Sequence, residues 1–187
     1  MAKIEDVVGR YVHVELDGID YRVYYEEAGQ GIPLVCQHTA GSDSRQWRHL
    51  LGDSDITDNF RVIAWDLPFH GKSVPPEGTN WWTEDYKLEG HWFMRFILEI
   101  SAALDAERPV FMGCSMGGQV AIDLALNHPA SFRAVIGVES GLDSGDFDPS
   151  FFNHPRISNA NKGNMMMSIM APLSPENRRR ETAWRRY

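Results

Sequence analysis

Gly113-Cys114-Ser115-Met116-Gly117-Gly118 stands between a short apolar run at 110–112 and an amphipathic stretch at 119–127. The segment reads as strand, glycine-pinched serine and helix, the pattern of a nucleophile elbow. Glycines two before and two after the serine let strand and helix approach closely, and the turn holds the serine in a strained backbone conformation. Its hydroxyl is then expected above the sheet, with the positive end of the helix dipole beneath it to favour developing negative charge.

Upstream and downstream the texture is that of an α/β chain. Short, continuous apolar runs at 33–36, 62–65 and 134–138 read as parallel strands covered on both faces. Residues 12–16 and 21–26 alternate apolar and polar about Asp17-Gly18, which predicts an antiparallel hairpin at the edge of the sheet. Ser44 is expected to cap a helix through Arg45, Trp47, Leu50 and Leu51. A second helix over 83–104 carries Trp92, Phe93, Phe96, Ile97 and Ile100 on its apolar face. His128-Pro129 ends the helix that follows the elbow. The expected fold class is α/β, with a mostly parallel sheet, an N-terminal antiparallel hairpin and helices on both faces. After Gly141 the composition turns to Asp, Ser, Gly, Pro and Asn, so a boundary is placed between a core at 1–140 and a separate segment at 141–187.

Composition narrows the function classes. The 187 residues suit one domain, with 43% hydrophobic content to fill a core. A formal net charge of -8 and a pI near 5.3 argue against nucleic-acid binding, which needs a concentrated basic face. The basic cluster of Arg178, Arg179, Arg180, Arg185 and Arg186 is interrupted by Glu181 and reads as a solvated helix face. Lys3, Glu5 and Asp6 deny the first residues the apolar run of a secretory signal, and no stretch reaches the length of a membrane span. Cys36 and Cys114 fall in predicted strands without metal-ligand spacing, which fits strand packing in a reducing cytoplasm.

Three motifs in order resemble the α/β-hydrolase family over roughly the first 140 residues. Gln37-His38-Thr39-Ala40-Gly41 is similar to the family's His-Gly oxyanion loop, with Thr39 in place of its glycine. Asp66-Leu67-Pro68-Phe69-His70-Gly71-Lys72-Ser73 is similar to its Asp-x-x-Gly-His-Gly-x-Ser turn, and the elbow is the third. The resemblance implies a serine hydrolase in which Ser115 is the nucleophile. It assigns the backbone N–H groups of Met116 and Ala40 to the oxyanion hole, with the Thr39 hydroxyl as an added contact. The substrate expected is a small ester, lactone, thioester or amide, cleaved through an acyl-serine intermediate. No metal or organic cofactor is implied.

The base and the acid are the less defined part of the site. His38 and His70 look like the family's loop-structuring histidines, while His13, His49, His91 and His128 lie on predicted element faces or ends. His154 is the candidate base, and Glu139 and Asp143 are the candidate acids. In the family the acid usually follows the seventh strand and the histidine the eighth, whereas this sequence reads as six strands followed by the opening of a lid at 141–187. The expectation is a chain that resembles an N-terminal portion lacking the last strands, with activity impaired if it ends at Tyr187. The strand at 134–138 is then an edge through which two copies are expected to pair.

Two alternatives remain open at this point. One is a C–C bond hydrolase of the same fold, whose elbow prefers Asn where Cys114 stands. The other is a non-catalytic ligand-binding or assembly module. Epoxide-hydrolase and dehalogenase chemistry needs a carboxylate nucleophile, which Ser115 is not. Trp47, Phe69, Trp81, Trp82 and the methionines Met165, Met166, Met167 and Met170 are the apolar candidates for a pocket that takes an uncharged, partly hydrophobic small molecule, although the methionine segment also reads as a helix packing on the domain.

Overall fold

A computed structural model describes residues 4–80 and 90–140. Six strands form one sheet in the order β1-β2-β4-β3-β5-β6. β1 (Val8–Leu16) and β2 (Ile19–Ala28) are the expected hairpin, and Asp17 and Gly18 both take positive φ (55° and 75°), as a tight turn with right-handed strand twist requires. β2 also pairs antiparallel with β4 (Phe60–Trp65). β3 (Ile32–Gln37), β4, β5 (Val110–Cys114) and β6 (Ala134–Val138) run parallel to one another.

Alternation along the strands sorts the core onto two faces. Leu34, Cys36, Val62, Ala64 and Cys114 share one buried cluster with Ala28, Trp47 and Leu51. Leu51 belongs to the single-turn helix α1 (Arg48–Leu51), which is followed by α2 (Ser54–Thr57). On the opposite face α3 (Gly90–Ala103) buries Phe93, Phe96, Ile97 and Ile100. Phe96 stacks between Trp65, at 5.5 Å, and Trp92, at 4.6 Å, and meets Tyr21 edge-on at 5.3 Å. α4 (Met116–Asn127) packs on β5 and β6. Both cysteines are free and buried in strands.

Two expectations change. Asp43, not Ser44, caps the turn at Ser44–Trp47: its carboxylate accepts the Arg45 N–H at 3.0 Å, while the Ser44 N–H is drawn to Asp66 Oδ1 at 2.6 Å. Trp47, expected in a substrate pocket, is 8% exposed and belongs to the core cluster. Trp81, Trp82, the methionines from Met165 to Met170 and the whole 141–187 segment lie outside the described residues.

Candidate active site

The elbow is built by backbone contact. A Cβ on Gly113 would meet the Gly117 carbonyl, and one on Gly117 would lie 2.9 Å from the Gln37 carbonyl oxygen. One on Gly118 would lie 2.6 Å from Ser140 Oγ. Strand and helix can close to this distance only because these positions carry no side chain. The chain turns at Ser115, which is exposed and has φ 52° and ψ -108°, a backbone conformation that costs a non-glycine residue roughly 1–3 kcal/mol. Its N–H donates to the Val138 carbonyl at 2.8 Å and its carbonyl accepts from Gln119 N at 2.9 Å, so both sides of the turn are fixed. Met116 opens α4, and its N–H is one of the first-turn donors without an intrahelical acceptor.

The loop after β3 faces this turn from the neighbouring strand. Thr39 to Ser42 closes a tight turn, with Ser42 N donating to the Thr39 carbonyl at 3.2 Å and Gly41 supplying the positive φ of 77°. The Thr39 carbonyl also accepts from His38 Nδ1 at 2.7 Å. A trans peptide sets N–H and C=O in opposite directions. The Ala40 N–H, in the same peptide plane, therefore points away from both of these donors. The Thr39 N–H is committed elsewhere, to Gln46 Oε1 at 2.9 Å.

His38 is fully buried and bridges two loops. Its Nε2 accepts the Leu67 N–H at 3.0 Å while Nδ1 donates to Thr39, which fixes the neutral Nδ1–H tautomer. Burial, opposed by the Thr39 hydrogen bond, lowers its pKa to about 4. His70, also buried and 5.1 Å from His38 between ring centroids, has its pKa lowered chiefly by desolvation. The turn that carries His70 is tied down by Asp66, whose Oδ2 accepts the Lys72 N–H at 2.7 Å and whose carbonyl accepts the Ser73 hydroxyl at 2.8 Å. Phe69 stands where the resembled motif has glycine and takes φ 69°, so the left-handed position persists with a bulky side chain in it.

Of the candidate site residues, Ser115 and Met116 at the end of β5 and Thr39 and Ala40 at the end of β3 fall on adjacent strands at one end of the sheet. Glu139 follows β6, at that same end, with φ 53°; its Oε2 lies 3.8 Å from the Cys114 thiol that donates to it. Asp143 and His154 lie outside the described residues. His13 pairs with Asp20 at 2.8 Å on the hairpin, His49 is on α1, and His128 caps the far end of α4. Among the described residues, no three His, Cys, Asp or Glu side chains converge as a metal-ligand set, and no helix is long and apolar enough to cross a membrane. Gln46, which sequence patterning did not single out, and Gln37, whose amide is buried at the end of β3, are two polar groups of this assembly that were given no role in advance.

The family model for the alpha/beta hydrolase fold matches residues 32–184. A 2-hydroxy-6-oxononadienedioate/2-hydroxy-6-oxononatrienedioate hydrolase of Burkholderia vietnamiensis is 30% identical over 128 residues, covering 67% of this chain and 42% of that protein. A pimeloyl-[acyl-carrier protein] methyl ester esterase of Aeromonas hydrophila is 32% identical over 118 residues, covering 63% and 41%. The solved structure of an N-acyl homoserine lactone degrading enzyme superposes with a TM-score of 0.60 at 26% identity, covering 80% of this chain and 55% of that one. The chain thus spans about two fifths of the length of the curated relatives it matches.

Proposed function

Since the chain belongs to the α/β-hydrolase fold family, we propose that it carries the nucleophile and oxyanion half of a serine hydrolase acting on a small, uncharged, partly hydrophobic ester, lactone, thioester or amide. The observation that carries this reading is Ser115: an exposed serine held at φ 52° at the mouth of a helix, a sparsely populated conformation that the surrounding strand and helix impose. In the proposed reaction Ser115 Oγ attacks the substrate carbonyl and gives its proton to a base, and the Met116 and Ala40 N–H groups receive the oxyanion. Collapse expels the protonated leaving group, and water then releases the acid and regenerates the serine. The base in this scheme is a histidine, for which His154 is the sequence candidate, with Glu139 and Asp143 the candidate acids.

Treating the folded protein with a fluorophosphonate is expected to add one adduct mass, lost in Ser115→Ala. A parent that stays unmodified overturns the reading in favour of a ligand-binding module. The similarity to the Burkholderia 2-hydroxy-6-oxononadienedioate/2-hydroxy-6-oxononatrienedioate hydrolase favours one second reading, in which the same serine site cleaves a carbon–carbon bond; turnover of a vinylogous diketone but not of simple esters selects it.

We extend the proposal to self-association through β6. Its five residues carry no charge or proline, and Ile136 and Val138 are 39% and 36% exposed. Light scattering is expected to show a dimer that Ile136→Lys returns to monomer; a monomeric parent refutes the pairing.

A further inference from the structure

Gln46 occupies a position that no motif marks. It lies in the turn Ser44–Trp47, where its own N–H donates to the Asp43 carbonyl at 3.0 Å. That turn is held on both sides, by the Ser44 N–H on buried Asp66 and by Trp47 in the core cluster. From this fixed base the Gln46 side chain reaches the Thr39 backbone. Its Oε1 accepts the Thr39 N–H at 2.9 Å. Glutamine supplies the acceptor that this N–H needs, which an apolar side chain or a lysine does not.

The consequence concerns the Ala40 N–H. The Thr39 peptide carbonyl is held from one side by His38 Nδ1 and Ser42 N. The Thr39 N–H, one peptide earlier, is held by Gln46. Both peptides flanking the Thr39 Cα are thereby fixed, leaving no soft dihedral through which the Ala40 N–H can swing.

We propose that Gln46 is a positioning residue that clamps the loop after β3 to the Ser44–Trp47 turn, holding the Ala40 N–H in a fixed direction for Ser115. This rests on the serine-hydrolase reading above. The clamp also accounts for tolerance of Thr39 where the resembled loop has glycine: the side-chain amide fixes a backbone that needs no left-handed residue at that position.

The test compares the parent with Gln46→Met and Gln46→Glu by amide hydrogen exchange at Thr39 and by fluorophosphonate inactivation resolved into a maximal rate and a half-saturating concentration. Methionine removes the acceptor at similar volume, whereas glutamate keeps it. In Gln46→Met, Thr39 exchange is expected to accelerate about tenfold with core amides such as Val35 and Ile63 unchanged. The maximal inactivation rate is expected to fall about tenfold at constant half-saturation. Gln46→Glu is expected to restore Thr39 protection and most of the rate. Unchanged Thr39 exchange in Gln46→Met overturns the clamp, and so does lost protection with an unchanged inactivation rate. A parent that takes no fluorophosphonate overturns the serine reading instead, and the clamp then stands or falls on Thr39 exchange alone.

Discussion

The Gly113→Ala variant is expected to lose about 3 kcal/mol of folding stability, the upper end of what overpacking costs. The added methyl group would meet the carbonyl and Cα of Gly117, both backbone, in a helix already fastened to β5 and β6. No side chain can rotate out of the way, so either the helix lifts off the sheet or the strand bends. Gly18→Ala is the control, because a Cβ there meets nothing within 4 Å and only the positive φ of 75° is strained. That cost is about 1–2 kcal/mol. Urea denaturation of the two variants and the parent measures the difference. Equal midpoints for Gly113→Ala and the parent would refute the close approach of strand and helix on which the geometry of Ser115 depends.

Acidification is expected to produce a loss of similar size. Unfolded, His38 titrates near the ordinary imidazole value of 6.5; folded, it resists protonation down to about 4. Between these values the unfolded chain binds a proton that the native state does not, so stability rises with pH across the window and is lost as pH falls from 6.5 toward 4. The integrated loss at His38 is about 3 kcal/mol. His70 adds to it with the same sign, since burial lowers its pKa as well. The cause is specific as well as general: a proton on His38 Nε2 would point at the Leu67 N–H that now donates to it. Denaturation midpoints measured at pH 7, 6, 5 and 4 should fall steadily, and His38→Gln should flatten the decline. A flat profile in the parent would show that His38 protonates freely in the folded state.

Much of the architecture was legible because it rests on local rules. Parallel strands covered on both faces must be short and apolar, and 33–36, 62–65, 110–112 and 134–138 are; hairpin residues Asp17 and Gly18 must tolerate positive φ, and they do. What escaped was decided between segments. Ser44 and Asp43 are both good helix caps by type, and the choice fell to Asp43 because Asp66, twenty-two residues on, takes the Ser44 N–H. Trp47 looks like a pocket aromatic in isolation, yet the strand face it meets, from Cys36 to Cys114, turns it inward. Gln46 is an unremarkable polar residue until the Thr39 backbone is placed against it. Phe69 at φ 69° is the converse case: the motif's glycine position is conformationally demanding, and this sequence fills it with a residue whose propensity argues against the conformation it adopts.

The pairing of β3 with β5 also bears on when this assembly comes into being. Leu34 meets Val110 and Gln37 meets Gly113, so the two loops that frame Ser115 belong to segments far apart along the chain, joined only after β4 and α3 have been made. The hairpin of β1 and β2, by contrast, closes through its own short turn. Contacts of large sequence separation form late and slowly, because loop closure must precede any gain from pairing. During synthesis the hairpin residues therefore emerge well before the segments that hold the strained backbone at Ser115, which is fixed only when β5 has β3 on one side and β6 on the other.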